Sequence, residues 1–272
     1  MARRHGSGGL TVYATFYLLF LYGPVLLLPL FSFNDSFYVA FPLRGFTFAW
    51  YRQMAENVPL IEALQASLKV AAGVAVISTV LGVLAAKALT SYDLPGRAPI
   101  TGFLMLPLVI PSVVLALALL VVLRRFFDLE LSLYTVAAGH VMLCVPYSTL
   151  VMISRLEGFD RNLEEASIDL GDNAWQSFWR IVFPLAWPVI VSSLVLCFSA
   201  SFDEYVLAAF LSGNQATLPV FIFSQLRFPQ RLPGVLALGS CILLGSIVLV
   251  AFAEWIRHRG AGMTATAEAP PG

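Results

Sequence analysis

Long apolar runs separated by short polar stretches are the first pattern in this chain. Six of them qualify as membrane-crossing helices, at residues 11–33, 64–89, 100–123, 133–153, 187–210 and 235–256. Each approaches the ~20 residues that a helix needs to cross the hydrocarbon layer with its backbone bonds satisfied internally. The runs are continuous and do not alternate with period two, as the strands of a membrane β-barrel do. The first run is too long for the apolar region of a secretory signal, and no small-x-small site precedes the polar stretch at 32–35, so it reads as a retained span. The pattern predicts an all-α membrane protein, with a transmembrane domain over 1–260. Gly, Ala and Pro dominate from Gly260 onward, which predicts a disordered tail at 261–272.

Two runs carry further marks. Ala71, Ala75 and Thr79 lie one turn apart in the second, beside Ser78, Gly82 and Ala86. Small residues at that spacing let helix backbones approach closely in lipid. Pro107 and Pro111 interrupt the third run. A kink is the expectation, and a break that frees carbonyls to line a pathway is the alternative.

The polar loop at 155–184 has helical periodicity of its own. Asn162 followed by Glu165 forms a variant capping box, Leu163, Ala166 and Leu170 share one face, and Gly171 supplies a left-handed cap. Asn173 and Gln176 can open a second short helix, with Trp175, Phe178 and Val182 as its apolar stripe and Pro184 as its stop. A helix-Gly-helix hairpin follows. It can lie in the headgroup region or serve as a docking knob for a soluble partner. The loop at 34–63 is rich in aromatics (Phe37, Tyr38, Phe41, Phe46, Phe48, Trp50 and Tyr51). It reads as an interfacial belt, with partner docking as the alternative.

Composition narrows the class. Of 272 residues, 59% are apolar and 12% charged, whereas soluble domains carry about 45–50% and roughly 25%. So little charge cannot cover a soluble globule. Sixteen basic and sixteen acidic residues cancel, which removes the basic footprint of a nucleic-acid binder. Cys144, Cys197 and Cys241 all sit in apolar runs, as buried thiols and not as a disulfide or zinc framework. A cytoplasmic N-terminus would put nine basic residues inside (Arg3, Arg4, Lys87, Arg97, Arg155, Arg161, Arg180, Arg257 and Arg259) against seven outside. The positive-inside rule then favours both termini in the cytoplasm by a narrow margin.

Polar side chains within the runs are candidates for a pathway. Asp203 and Glu204 fall roughly 23 Å along the fifth run at 1.5 Å per residue. Ser192, Ser199 and Asp203 recur at seven and four residues as one stripe leading to the carboxylates. Intramembrane carboxylates normally face a cavity or a cationic partner; a cation pathway and a polar helix end both suit the pattern. His140 shares a face with Cys144 and Tyr147. Neither metal-ligand spacing nor a catalytic triad is visible, and no phosphate-binding glycine loop occurs.

Glu165-Ala166-Ser167, three residues, Gly171, nine residues, Ile181, one residue and Phe183-Pro184 resemble the EAA loop of ABC importer permeases. Ser167 replaces the second alanine of that pattern and Phe183 its leucine. Phe31 to Asn34 with Pro42 to Thr47 and Trp50-Tyr51, Arg155 to Asp160, and Ser201 to Glu204 with Leu218-Pro219 are similar to the spermidine/putrescine permease subfamily. The stretch at 229–236 departs from that subfamily's Pro-x-x-Asn-Ala. The resemblance implies a type I importer permease fold of six helices with a cytoplasmic coupling helix. It implies ATPase coupling by Glu165, Ala166, Ser167, Gly171, Ile181 and Pro184, and a pathway for polyamines or related amino compounds through Asp203, Glu204, Ser199, His140 and Tyr147. The implied partners are a second homologous permease, two cytoplasmic ATPases that carry the ATP and Mg, an extracytoplasmic binding protein and the bilayer of a bacterial inner membrane. No cofactor, metal or nucleic acid, and no catalytic residue, is expected on this subunit itself.

Overall fold

The computed structural model describes residues 7–92, 94–160 and 162–265. Two compact units divide the chain, one of residues up to 61 with 222–247, the other of 62–221 with residues from 248 onward. Nearly all the regular structure is helical.

In the first unit, α1 (Ser7–Ser32) is a long apolar helix. The loop after it folds around Asn34. That side chain is buried, its Oδ1 accepts from the Arg44 N–H at 2.9 Å, and its carbonyl accepts from Trp50 Nε1 at 2.9 Å. A short helix, α2 (Ala49–Ala55), carries Trp50 and Tyr51 into the knot. Ser32 and Tyr51 share a 2.6 Å hydrogen bond, and Phe33 packs on Phe48 and Tyr51. Part of the aromatic content thus holds the loop together, while Tyr38, Phe46 and Phe48 remain exposed. Asn57 then caps α3 (Val58–Ser91), its Oδ1 accepting from the Leu60 N–H at 3.2 Å.

The second unit holds the principal core. Val70, Val74 and Ala75 of α3 pack with Leu115, Val136, Cys144, Cys197, Leu207 and Leu211. The small-residue face of α3 is a contact face, as its spacing predicts. Ala71, Ser78, Thr79 and Ala86 are buried, and a Cβ added at Gly82 would lie 2.1 Å from Ser148 Oγ. Ser193 donates to Ser148 at 2.7 Å, and Thr79 lies 3.3 Å from Ser193, so hydroxyls tie three helices where their backbones converge.

The third apolar run is more than kinked. α4 (Arg97–Val109) and α5 (Ser112–Val121, prolonged by a π-helical turn, Val122–Phe126) meet at 101°. Ile110 and Pro111 are both extended, with ψ of 130° and 132°. Pro111 lacks an N–H and excludes helical ψ from the residue before it, so two consecutive residues leave the helix.

α6 (Leu133–Leu156) follows its predicted range closely. α7 (Asn162–Asp169) and α8 (Ala174–Ser177) form the hairpin. Contrary to expectation, Pro184 does not stop the second arm. α8 runs through a π-helical turn (Phe178–Val182) into α9 (Phe183–Phe202), a single apolar rod over Ala174–Phe202. Pro184 lies in the first turn of α9, just after the widened turn. A turn bonded from i to i−5 leaves room for a pyrrolidine ring that would collide with the carbonyl four residues back in a tight α-helix. The rod also ends earlier than expected. Asp203 and Glu204 break it, and 206–211 form a separate helix, α10 (Val206–Leu211).

α11 (Leu218–Gln225) and α12 (Leu232–Ala265) complete the chain. α12 continues to Ala265, into the stretch expected to be disordered, and the remainder of that stretch lies outside the described residues. Among the described residues, five helices are long and apolar enough to cross a membrane, and the bent α4–α5 pair, taken as one span, makes a sixth.

Candidate functional site

The hairpin is built by its turn. Gly171 has φ of +101°, a region that side chains adopt only at a cost. Its N–H donates to the Ile168 carbonyl at 2.9 Å and the Asp172 N–H donates to Ser167 at 3.1 Å. These two bonds make a Schellman turn, which satisfies the last carbonyls of α7 and reverses the chain. Ser167, the departure from alanine, is buried, and its hydroxyl donates to Asp172 Oδ2 at 2.9 Å. The other oxygen of Asp172 takes Arg180. One carboxylate therefore clamps the turn to both arms.

Capping differs between the arms. Asn173 and Gln176 form a reciprocal box, at 2.9 and 3.0 Å, as their spacing predicts. The box expected at Asn162 and Glu165 is absent. Asn162 opens α7, and its N–H donates to Asp160 Oδ1 at 3.0 Å, so the side-chain acceptor stands two residues earlier than expected. Glu165 is exposed and makes no side-chain hydrogen bond to another described residue. Glu164, its neighbour, instead pairs with Lys87 of α3, with one carboxylate oxygen 2.6 Å from Nζ. Leu163, Ala166 and Leu170 line an exposed apolar face beside Glu165, whereas Ile181 is half-buried and Pro184 exposed on the continuing rod.

The second candidate is a cavity of about 420 Å³. One wall is the α4–α5 break from Pro107 to Ser112. Another is α6, through His140, Cys144 and Tyr147, and the third is Ser201 and Glu204 at the end of α9. Three of the five predicted pathway residues are thus brought together. Buried His140 places Nδ1 2.8 Å from Ser201 Oγ, and its Nε2 lies 3.6 Å from Glu204 Oε2 without a hydrogen-bond partner. Glu204 is itself anchored, since its carboxylate accepts the Val206, Leu207 and Ala208 N–H groups and caps α10. A carboxylate, an imidazole nitrogen and hydroxyls facing one pocket of this size suit a small cation.

Asp203 and Ser199 stand apart from the cavity. The Asp203 side chain is exposed, and its N–H closes the last turn of α9 on the Ser199 carbonyl at 3.1 Å. Adjacent residues at a helix end point in different directions, so the paired carboxylates of the sequence divide their roles. Ser201, Lys87, Asp172 and Arg180 were not singled out by the sequence as site residues. Their partners lie 61, 77, 5 and 8 residues away, and only the last two separations lie within reach of a local pattern.

A family model described as the binding-protein-dependent transport system inner membrane component matches residues 78–260. The chain belongs to this family. The permease is 34% identical over 241 residues to the spermidine/putrescine transport system permease protein PotC of Haemophilus influenzae, covering 88% of this chain and 93% of that one. It is 33% identical to the putrescine transport system permease protein PotI of Escherichia coli, over 87% and 85% of the two chains. A bacterial ABC transporter involved in the import of the acidic polysaccharide alginate shares the fold, with a TM-score of 0.71, 15% identity and 95% of each chain covered. The permease is a multi-pass inner-membrane subunit of an ABC importer, and its family is one of transport proteins and not of catalytic enzymes.

Proposed function

We propose that the permease forms half of a translocation pathway for polyamines or related small amino compounds and couples to a cytoplasmic ATPase through the hairpin. A second permease completes the pathway, two ATPases carry the ATP and Mg, and an extracytoplasmic protein delivers the substrate. This subunit holds no nucleotide. Both termini lie in the cytoplasm with the hairpin, as an even number of spans requires. The observation that carries the reading is the hairpin itself: a Schellman turn at Gly171 clamped by Asp172, presenting Leu163, Ala166 and Leu170 outward. An apolar helix face on a rigid base is what a groove on a soluble partner takes. The substrate class rests on the relatives named for spermidine and putrescine and on a cavity that offers Glu204 to a cation.

Uptake of labelled spermidine and putrescine tests it, in cells that lack other polyamine importers and express the complete system. Uptake that depends on the permease is expected. Glu204→Gln should reduce it while the ATPase still co-purifies. Uptake of some other amino compound, with neither polyamine transported, would move the substrate assignment and leave the coupling role standing.

A further inference from the structure

We infer that the Lys87–Glu164 pair is the positioning link through which movement of the hairpin reaches the spanning helices. The inference rests on the coupling role proposed above. Glu164 offers both carboxylate oxygens to Lys87 Nζ, and each side chain is only 21% exposed. Lysine is costly within a long apolar helix unless it is paired or reaches water, and here its pair lies on the hairpin. The contrast is the Arg97–Glu157 pair. It joins α4 to the segment after α6 at 3.3 Å, with side chains 50% and 58% exposed, and a pair so open to solvent holds little.

Position makes Glu164 suited to the task. It stands in the first turn of α7, where negative charge is favourable. Its neighbour Glu165 points away with the exposed apolar face. The arm therefore has an outer side free for a partner and an inner side bonded to α3. What Lys87 receives, α3 passes on at once. Ala86, the preceding residue, is fully buried against a cluster that contains Met152 of α6 and Ala186 and Ile190 of α9. About one turn further along α3, Gly82 lies on Ser148 of α6. Packed helices shift as units, so displacement of α7 moves α3 against α6 and α9. The turn at Gly171 and the clamp at Asp172 join α7 to α8 and α9 by a separate route, and the ion pair joins it directly to α3.

The test uses the complete complex in nanodiscs, with both permeases, the ATPase and the binding protein loaded with spermidine as the probe. Lys87→Met and Glu164→Gln should each leave ATPase retention and basal hydrolysis at wild-type values, with only a modest fall in thermal stability. Stimulation of hydrolysis by the loaded binding protein should fall about tenfold, within the range of couplings between distant sites. The charge-swapped double variant, Lys87→Glu with Glu164→Lys, should recover most of the stimulation. Full stimulation in both single variants, or a double variant no better than either, would overturn the link. Loss of retention and stability in step with stimulation would make the pair a structural strut and overturn it equally. A wild-type complex without stimulation would overturn the proposed coupling of spermidine delivery to hydrolysis and the link with it, whereas the outcomes above overturn the link alone, so the two failures are distinguishable.

Discussion

Gly171 shows how one residue can be fixed by backbone geometry alone. Among the described residues, no atom beyond its chain neighbours lies within 4 Å of the position a Cβ would take, so its requirement comes from φ of +101° and not from crowding. A β-branched side chain is least tolerant of that region, at a cost of about 1–2 kcal/mol or more. Gly171→Val should therefore redirect the second arm and release or uncouple the ATPase while the spans still insert. ATPase retention and substrate-stimulated hydrolysis in the purified complex measure this; wild-type values for both would remove the hairpin's role as a rigid coupler. Gly82 is the opposite case, fixed by crowding. A Cβ there would meet Ser148 Oγ at 2.1 Å, and overpacking of this kind costs about 1–3 kcal/mol. Gly82→Ala should lower the melting temperature in detergent, and adding Ser148→Gly should restore part of it. Equal melting of the single variant and wild type would show that α3 and α6 separate freely.

At the scale of elements, the hairpin and the rod after it are one mechanical piece. Continuity from Ala174 to Phe202 means that the second arm is the end of a spanning helix. The Asn173–Gln176 box fixes where that rod begins, with two bonds that Asn173→Ala would reduce or remove. Loss of an asparagine cap costs about 1 kcal/mol. Asn173→Ala should accordingly raise hydrogen exchange over 174–177 and leave exchange in α6 unchanged; unaltered exchange at both would mean that the Asp172–Arg180 clamp alone holds the arm. At the other end of the rod, Glu204 caps α10 from the break itself. Its geometry explains why a carboxylate is tolerated deep in an apolar run. Three backbone N–H groups compensate the charge.

For the whole molecule, the lysine and arginine ion pairs of the second unit gather at one end among the described residues. Lys87–Glu164 and Arg97–Glu157 bring together the end of α3, the start of α4, the segment after α6 and the hairpin. At the opposite end, Thr135 at the start of α6 donates to the Leu211 carbonyl at 2.7 Å. The alternation of ends along the chain is that of a bundle that crosses back and forth. With the hairpin in the cytoplasm, a fluorescent protein fused after residue 272 should fluoresce and a periplasm-dependent phosphatase fused there should be inactive. The reverse result would invert the orientation and leave a soluble cytoplasmic ATPase nothing to dock on.

Sequence alone determined what depends on local spacing. Six apolar runs, the small-residue face of α3, the positive φ of Gly171 and the Asn173–Gln176 box all follow from residues within one or two turns of each other. Proline was legible as a perturbation but not in its outcome. Pro111 produced a bend of 101° and Pro184 no stop at all, because the result depends on whether adjoining turns can widen or must break against their neighbours. The paired carboxylates were legible as polar groups in an apolar run, while their division was not. Glu204 turned inward to cap α10 and meet His140, and Asp203 turned outward, once the helix broke between them and α10. The long-range contacts of the candidate sites were silent in the sequence. Lys87 and Glu164 are separated by 77 residues and His140 and Ser201 by 61. Only packing brings them together, since no local pattern carries information about which distant helix a side chain will face.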